Sequence, residues 1–270
     1  MTKFIRPATI AMMLLLFTTF IPGISHAHNL WLNAVDYNPS FSERTGAHTK
    51  IYFGFGHKYP VQDFLEDDSL IEFKLIDEAG NAKDIEAEKG GFMATPVILK
   101  NPGANTVTAV TKSGFYTMYF KDGRVMHKMG SMEGLDNIIL SLYYENYAKA
   151  LVNVGETKED SYSMPVGHKI EIISLENPYL KRVGEGLKIK VLYNGRPASF
   201  CDISATYVGF SSEEDYAFSN KTGSDGISEV RLLAPGQWII RAVVRNQARE
   251  SFKKDCLEEK YSATLTFGVK

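Results

Sequence analysis

Short apolar runs separated by turn residues recur along most of this chain. Lys50-Ile51-Tyr52-Phe53-Gly54-Phe55, Ile71-Glu72-Phe73-Lys74-Leu75-Ile76, Thr106-Val107-Thr108-Ala109-Val110 and Gly114-Phe115-Tyr116-Thr117-Met118-Tyr119-Phe120 are rich in β-branched or aromatic residues. They also alternate in part, which is the period of a half-buried strand. Asp77-Glu78-Ala79-Gly80-Asn81, Asn101-Pro102-Gly103 and Lys121-Asp122-Gly123 supply the turns between them. One segment departs from this rhythm. From Leu135 to Leu151, Ile138, Ile139, Leu142, Tyr143 and Leu151 fall close to helical spacing, and Ala148 and Ala150 favour a helix. The spacing predicts a helix there, with a long bent strand as the alternative.

The strand pattern restarts after the polar stretch Gly155 to Ser163 and Met164-Pro165, which reads as a linker. Ile170 to Ile173, the alternating Leu187 to Tyr193, Ile203 to Val208, Val230 to Leu233, Trp238 to Val244 and Tyr261 to Val269 are strand candidates. Asn194-Gly195, the strongest hairpin signal in the chain, follows the second of these. Strands at this density suit an immunoglobulin-like sandwich. The expected fold is mostly β: a β-sandwich domain over 28–160, an immunoglobulin-like domain over 167–270, and one helix near the end of the first.

The N-terminus changes the setting. Lys3 and Arg6 are followed by an apolar run from Ala8 to Ile21, the breaker Pro22-Gly23, and small residues at Ser25 and Ala27. This order is that of a cleavable secretory signal over residues 1–27. The apolar run is shorter than the roughly 20 residues that span a bilayer, and no later segment is apolar enough to do so. The expectation is a periplasmic chain that is not itself membrane-spanning. Without Lys3 and Arg6, 28 Lys+Arg remain against 32 Asp+Glu, a balance of −4. No basic stripe interleaved with aromatics marks a nucleic-acid partner. Cys201 and Cys256, an even pair in an oxidising compartment, are expected to form a disulfide.

No G-x-S-x-G, H-E-x-x-H or glycine-rich phosphate loop is present, and no catalytic residue is assigned. Histidine carries the remaining chemistry. Cleavage after Ala27 makes His28 the first residue, and its α-amine and ring Nδ1 can then close a chelate on nickel, copper or zinc. Cleavage after Ser25 would instead leave His26-Ala27-His28, whose third-position histidine suits a square-planar site. His57 stands where the strand Ile51 to Gly56 enters a turn, and Gly54 and Gly56 permit close approach beside it. His127, within Arg124-Val125-Met126-His127-Lys128-Met129, is a third candidate with thioethers nearby. Asp63 is a candidate carboxylate, and His48 and His168 are weaker candidates.

His28-Asn29-Leu30-Trp31-Leu32 followed by Gly54-Phe55-Gly56-His57-Lys58-Tyr59-Pro60 resembles a periplasmic family built on a domain of unknown function, often encoded with nickel or cobalt uptake systems. Gly167-His168-Lys169-Ile170, Tyr193-Asn194-Gly195-Arg196-Pro197, Asp225-Gly226, Gly236-Gln237-Trp238 and Ala263-Thr264-Leu265-Thr266-Phe267 extend the likeness over the mature chain. The resemblance implies a non-enzymatic accessory that captures Ni²⁺ or Co²⁺ and passes it to a membrane metal transporter or its periplasmic components. His28 and His57 match the family's two histidine motifs. His127 comes from the residues alone, and Cu²⁺ and Zn²⁺ also suit these donors. Two other readings compete. One is a non-catalytic binding or adhesion module of β-sandwiches. The other is a copper oxidase in which His28 and His57 brace the metal.

Overall fold

The computed structural model describes residues 28–270; the expected signal segment, 1–27, lies outside the described residues. The first half contains β1 (Asn29–Ala34), β2 (Ala47–Gly56), β3 (Leu70–Ile76), β4 (Ala82–Asp84), β5 (Thr95–Leu99), β6 (Gly103–Thr111), β7 (Gly114–Lys121), β8 (Arg124–Met129) and β9 (Ile138–Val154). The second contains β10 (Ile170–Ser174), β11 (Gly186–Tyr193), β12 (Arg196–Pro197), β13 (Asp202–Tyr207), β14 (Phe218–Lys221), β15 (Ile227–Arg231), β16 (Gly236–Gln247) and β17 (Glu258–Val269). Helix among the described residues is confined to three short 3-10 turns, at Asp67–Ser69, Pro178–Leu180 and Glu250–Phe252. The fold is mostly β.

The expected helix at Leu135 to Leu151 is instead strand β9. The reason is its position. β9 pairs with β7 through Ile138–Tyr144 and with β6 through Tyr147–Val154, while β17 runs parallel along its other edge from Leu142 to Ala150. From Ala148 to Val154 every residue is buried. A strand covered on both faces loses the alternation that betrays a half-exposed one. Ala148 and Ala150, both fully buried, are small because β1 packs over β9.

The β9–β17 pairing joins the two halves into one ten-stranded sheet, ordered β14-β13-β16-β17-β9-β6-β3-β4 with the β7–β8 hairpin alongside. A three-stranded sheet, β1-β2-β5, packs across its middle, and Thr264 and Thr266 of β17 donate side-chain hydrogen bonds to the Leu30 and Leu32 carbonyls at 2.7 and 2.5 Å. A four-stranded sheet, β10-β11-β12 with β15 on β11, faces β16 and β17, forming the immunoglobulin-like sandwich of the second half. Ile172, Ile189 and Val230 from that sheet and Trp238, Ile240 and Leu265 from the other share one buried cluster. The polar stretch after β9 is pinned in place. Tyr162 is buried against Tyr179, and Asn177 donates to Thr157 Oγ1 and the Lys158 carbonyl at 2.7 and 2.9 Å.

The expected disulfide is absent: Cys201 and Cys256 are buried free thiols. Cys201 donates to the Val243 carbonyl at 3.3 Å, and burial pushes its pKa up to about 12. Burial also raises that of Cys256. Topology explains the separation. Asp202 is level with Val243 and, through β16, with Ser262. Two interstrand spacings, about 10 Å, therefore lie between these strands. Cys256 sits six residues further back along the chain from Ser262. A disulfide needs Cα atoms within about 7 Å.

Candidate metal site

The β1–β2 ladder is antiparallel and in strict register from Ala34↔Ile51 to Asn29↔Gly56. The next pair beyond its end is His28 and His57. Register alone thus brings together two histidines 29 residues apart in sequence, and their rings meet edge to face with centroids 4.9 Å apart. His28 also lies edge-on to Phe55 at 4.9 Å.

The two glycines beside His57 make room for side chains. A Cβ on Gly54 would stand 1.9 Å from Trp31 Nε1, and one on Gly56, at φ +131°, would stand 2.7 Å from Gln62 Oε1. Both neighbours brace the loop that follows β2. Trp31 Nε1 and Asn33 Nδ2 donate to the Pro60 carbonyl at 2.8 and 3.0 Å. Gln62 Oε1 accepts from the backbone N–H groups of His57 and Lys58 at 2.6 and 2.8 Å. Asp63 then returns to Phe55, donating its N–H to the Phe55 carbonyl at 3.1 Å.

His28, Phe55, His57 and Asp63, held by this braced loop, line a cleft of about 750 Å³. The lining continues where β9 exchanges one partner for the next: Gly114 of β7 pairs with Tyr144, and Val110 of β6 with Tyr147. Thr111, Lys112 and Tyr144 line the cleft at that exchange, and the β7–β8 hairpin adds Tyr116, His127 and Met129. All three histidines singled out by sequence, with Asp63, therefore line one cleft. His127 Nδ1 lies 2.5 Å from the Tyr116 hydroxyl. When Nδ1–H donates to that oxygen, Nε2 keeps the lone pair that a metal needs. A second depression of about 480 Å³, beside Tyr193 and Arg196, has no histidine, cysteine or carboxylate in its lining.

Burial lowers the pKa of His28, with Lys260 adding to the effect and Asp63 and Glu214 opposing it. The neutral, ligating form of the ring is thereby favoured. Lys260 is fully buried and donates to Asn29 Oδ1 at 3.1 Å. Burial, with Arg241 and Arg245 nearby, holds it well below the ordinary lysine range. Among the described residues, no three His, Cys, Asp or Glu side chains converge closely enough to hold an ion by themselves.

The weaker histidines lie elsewhere. His48 Nε2 is 3.0 Å from the Thr45 carbonyl, and buried His168 is 3.3 Å from Glu72 Oε1 with its ring against Tyr147. Sequence reasoning did not single out Phe55, Phe64, Lys112 or Tyr144 for the cleft, or Gln62 for the loop. Gly56 followed by Gln62 was the one signal for the loop brace, and it is legible only once the turn is closed.

A family model described as a domain of unknown function, DUF4198, matches residues 25–246. The chain belongs to that family. The match takes in His28, His57, His127 and the whole cleft lining. A comparison with curated proteins finds no match. Among solved structures, the D00–D0 domain of intimin aligns at 15% identity and TM-score 0.19 over 88% of this chain and 98% of that one. A Salmonella alpha-2-macroglobulin mutant aligns at 10% identity and TM-score 0.23 over 89% of this chain and 15% of that one. The Parabacteroides merdae β-glucuronidase gives 9% identity and TM-score 0.21 over 88% and 24%. No helix among the described residues is long and apolar enough to cross a membrane.

Proposed function

We propose that this is a periplasmic accessory protein that binds one divalent transition-metal ion, nickel or cobalt, and hands it to an uptake transporter. The observation that carries the reading is the His28–His57 ring pair at the end of the β1–β2 ladder, opening into a cleft that His127 also lines. Removal of residues 1–27 would free the His28 amine, so that amine and Nδ1 form a chelate ring and His57 adds a third nitrogen. Three nitrogen donors suit nickel, cobalt, copper and zinc alike, and supply and geometry decide among them. The resemblance to proteins encoded with nickel or cobalt uptake systems favours those two ions. Asp63 and His127, which line the same cleft, are candidates for further ligands. The reading is one of binding and release, with no substrate turnover.

The test is intact mass and metal content of the exported chain, before and after addition of Ni²⁺. A mass beginning at His28 with one bound ion, lost in His57→Ala and in a chain carrying one extra residue ahead of His28, supports the reading. Full affinity with the amine blocked, or a correctly processed chain that binds no metal, overturns it.

A further inference from the structure

We propose that the cleft takes its metal as a complex with a small carboxylate chelator, with the protein and the chelator each supplying part of the coordination sphere. This rests on the metal-binding reading above and names the form in which the ion arrives. Three observations lead to it: the volume of the cleft, its donor set and the chemistry of its walls.

The cleft encloses about 750 Å³. Water occupies roughly 30 Å³ per molecule in the liquid, so an ion with about six waters would fill around a quarter of that space. Sites for small organic molecules run from about 300 to 1,000 Å³. The donor set is also partial. The two rings meet at 4.9 Å, yet no three metal-binding side chains among the described residues converge on a point. Two imidazoles and one amine leave about half of an octahedral sphere for another molecule's oxygen or nitrogen atoms.

The walls are built for something other than a hydrated ion. Phe55, Phe64, Tyr116 and Tyr144 present aromatic surface to the cleft. Such surface offers a hydrated ion nothing, but it covers the carbon skeleton of an organic ligand. Phe64 is 56% exposed at the cleft and packs on its other side against Phe92, with ring centroids 4.7 Å apart. Among the described residues, Lys112 is the one lysine or arginine in a lining that also holds Asp63 and Glu66, and is the group there that can pair with a ligand carboxylate. Its ammonium lies 3.1 Å from Asp68, with the Lys112 side chain 56% exposed. An ion pair so exposed is weak and exchanges readily for a ligand carboxylate. Asp63, in the same lining, suits the metal end of the complex.

The experiment uses the full exported chain and three probes: NiCl₂ alone, Ni²⁺ with citrate, and Ni²⁺ with L-histidine. Native mass spectrometry reads what is retained, and competition titration reads affinity. The expected result is one ion and one chelator per chain, bound about tenfold or more tightly than Ni²⁺ alone. Lys112→Ala, a change at an exposed side chain, should weaken binding of the complex about five- to tenfold relative to the wild type. Retention of citrate only assigns a hydroxycarboxylate, and retention of histidine only an amino-carboxylate; either supports the proposal. An ion bound without chelator mass, with both chelators acting purely as competitors, overturns it and leaves the metal-binding reading standing. Absence of bound metal in all three arms overturns both.

Discussion

His57 illustrates how much of the site depends on one neighbour that binds nothing itself. Its backbone N–H and that of Lys58 both donate to Gln62 Oε1, which fixes the turn that presents the imidazole. Gln62→Ala is therefore expected to lower Ni²⁺ affinity about tenfold, the lower end for residues that orient a ligand. Titration against a competing chelator measures this, and the thermal midpoint should move little. Arg249 donates to both carboxylate oxygens of Glu259, Nε to Oε1 at 2.8 Å and Nη2 to Oε2 at 2.6 Å, and holds that carboxyl down to about 2. The folded-state value lies below the ordinary 4.5, so the stabilisation is whole above pH 4.5 and is lost as pH falls toward about 2. Thermal unfolding across this window should show a steeper acid loss in the wild type than in Glu259→Gln.

At the scale of elements, β9 was the hardest to read and is the most connected. Its aromatic first half carries the β7–β8 hairpin, its small, buried second half carries β6, and β17 lines its far edge. Ala148 to Val154, buried on both faces, lose the period-2 signal, while Ile138 is half-buried and Ile139 exposed, so the helical spacing of the first half marks no buried helix face. The same layering keeps the cysteines apart, since β16 stands between β13 and β17. Denatured protein should therefore yield two reactive thiols per chain without prior reduction, and a reductant should leave the melting temperature of the native protein unchanged. A single thiol pair released only after reduction would contradict the topology.

Across the whole molecule, buried charge ties the halves together where the sheet crosses between them. Lys149 of β9 donates to Glu171 of β10 at 3.1 Å, and both side chains are almost wholly buried. Glu171 also accepts from the backbone N–H groups of Val166 and Gly167, at the start of the second half. Burial lowers the Lys149 pKa and Glu171 opposes that shift. Removing one partner strands a charge in the interior. Glu171→Ala should cost about 3–5 kcal/mol in denaturant unfolding, whereas Lys149→Met combined with Glu171→Leu should restore much of that loss.

Local pattern was enough to read a mostly β chain and most strand positions from Lys50 onward, because alternation and turn chemistry act over a few residues. The same local reading picked out His28, His57, His127 and Asp63. Their meeting in one cleft depends on contacts between residues far apart. The β1–β2 register sets His28 against His57, and the change of partner along β9 brings the β7–β8 hairpin with His127 into the same cleft lining. The strand identity of β9, the separation of the cysteines and the pinning of residues 155–163 were likewise decided by tertiary structure. In each, burial on both faces or the order of strands in the sheet overrides local propensity, and neither is written in any short stretch of sequence.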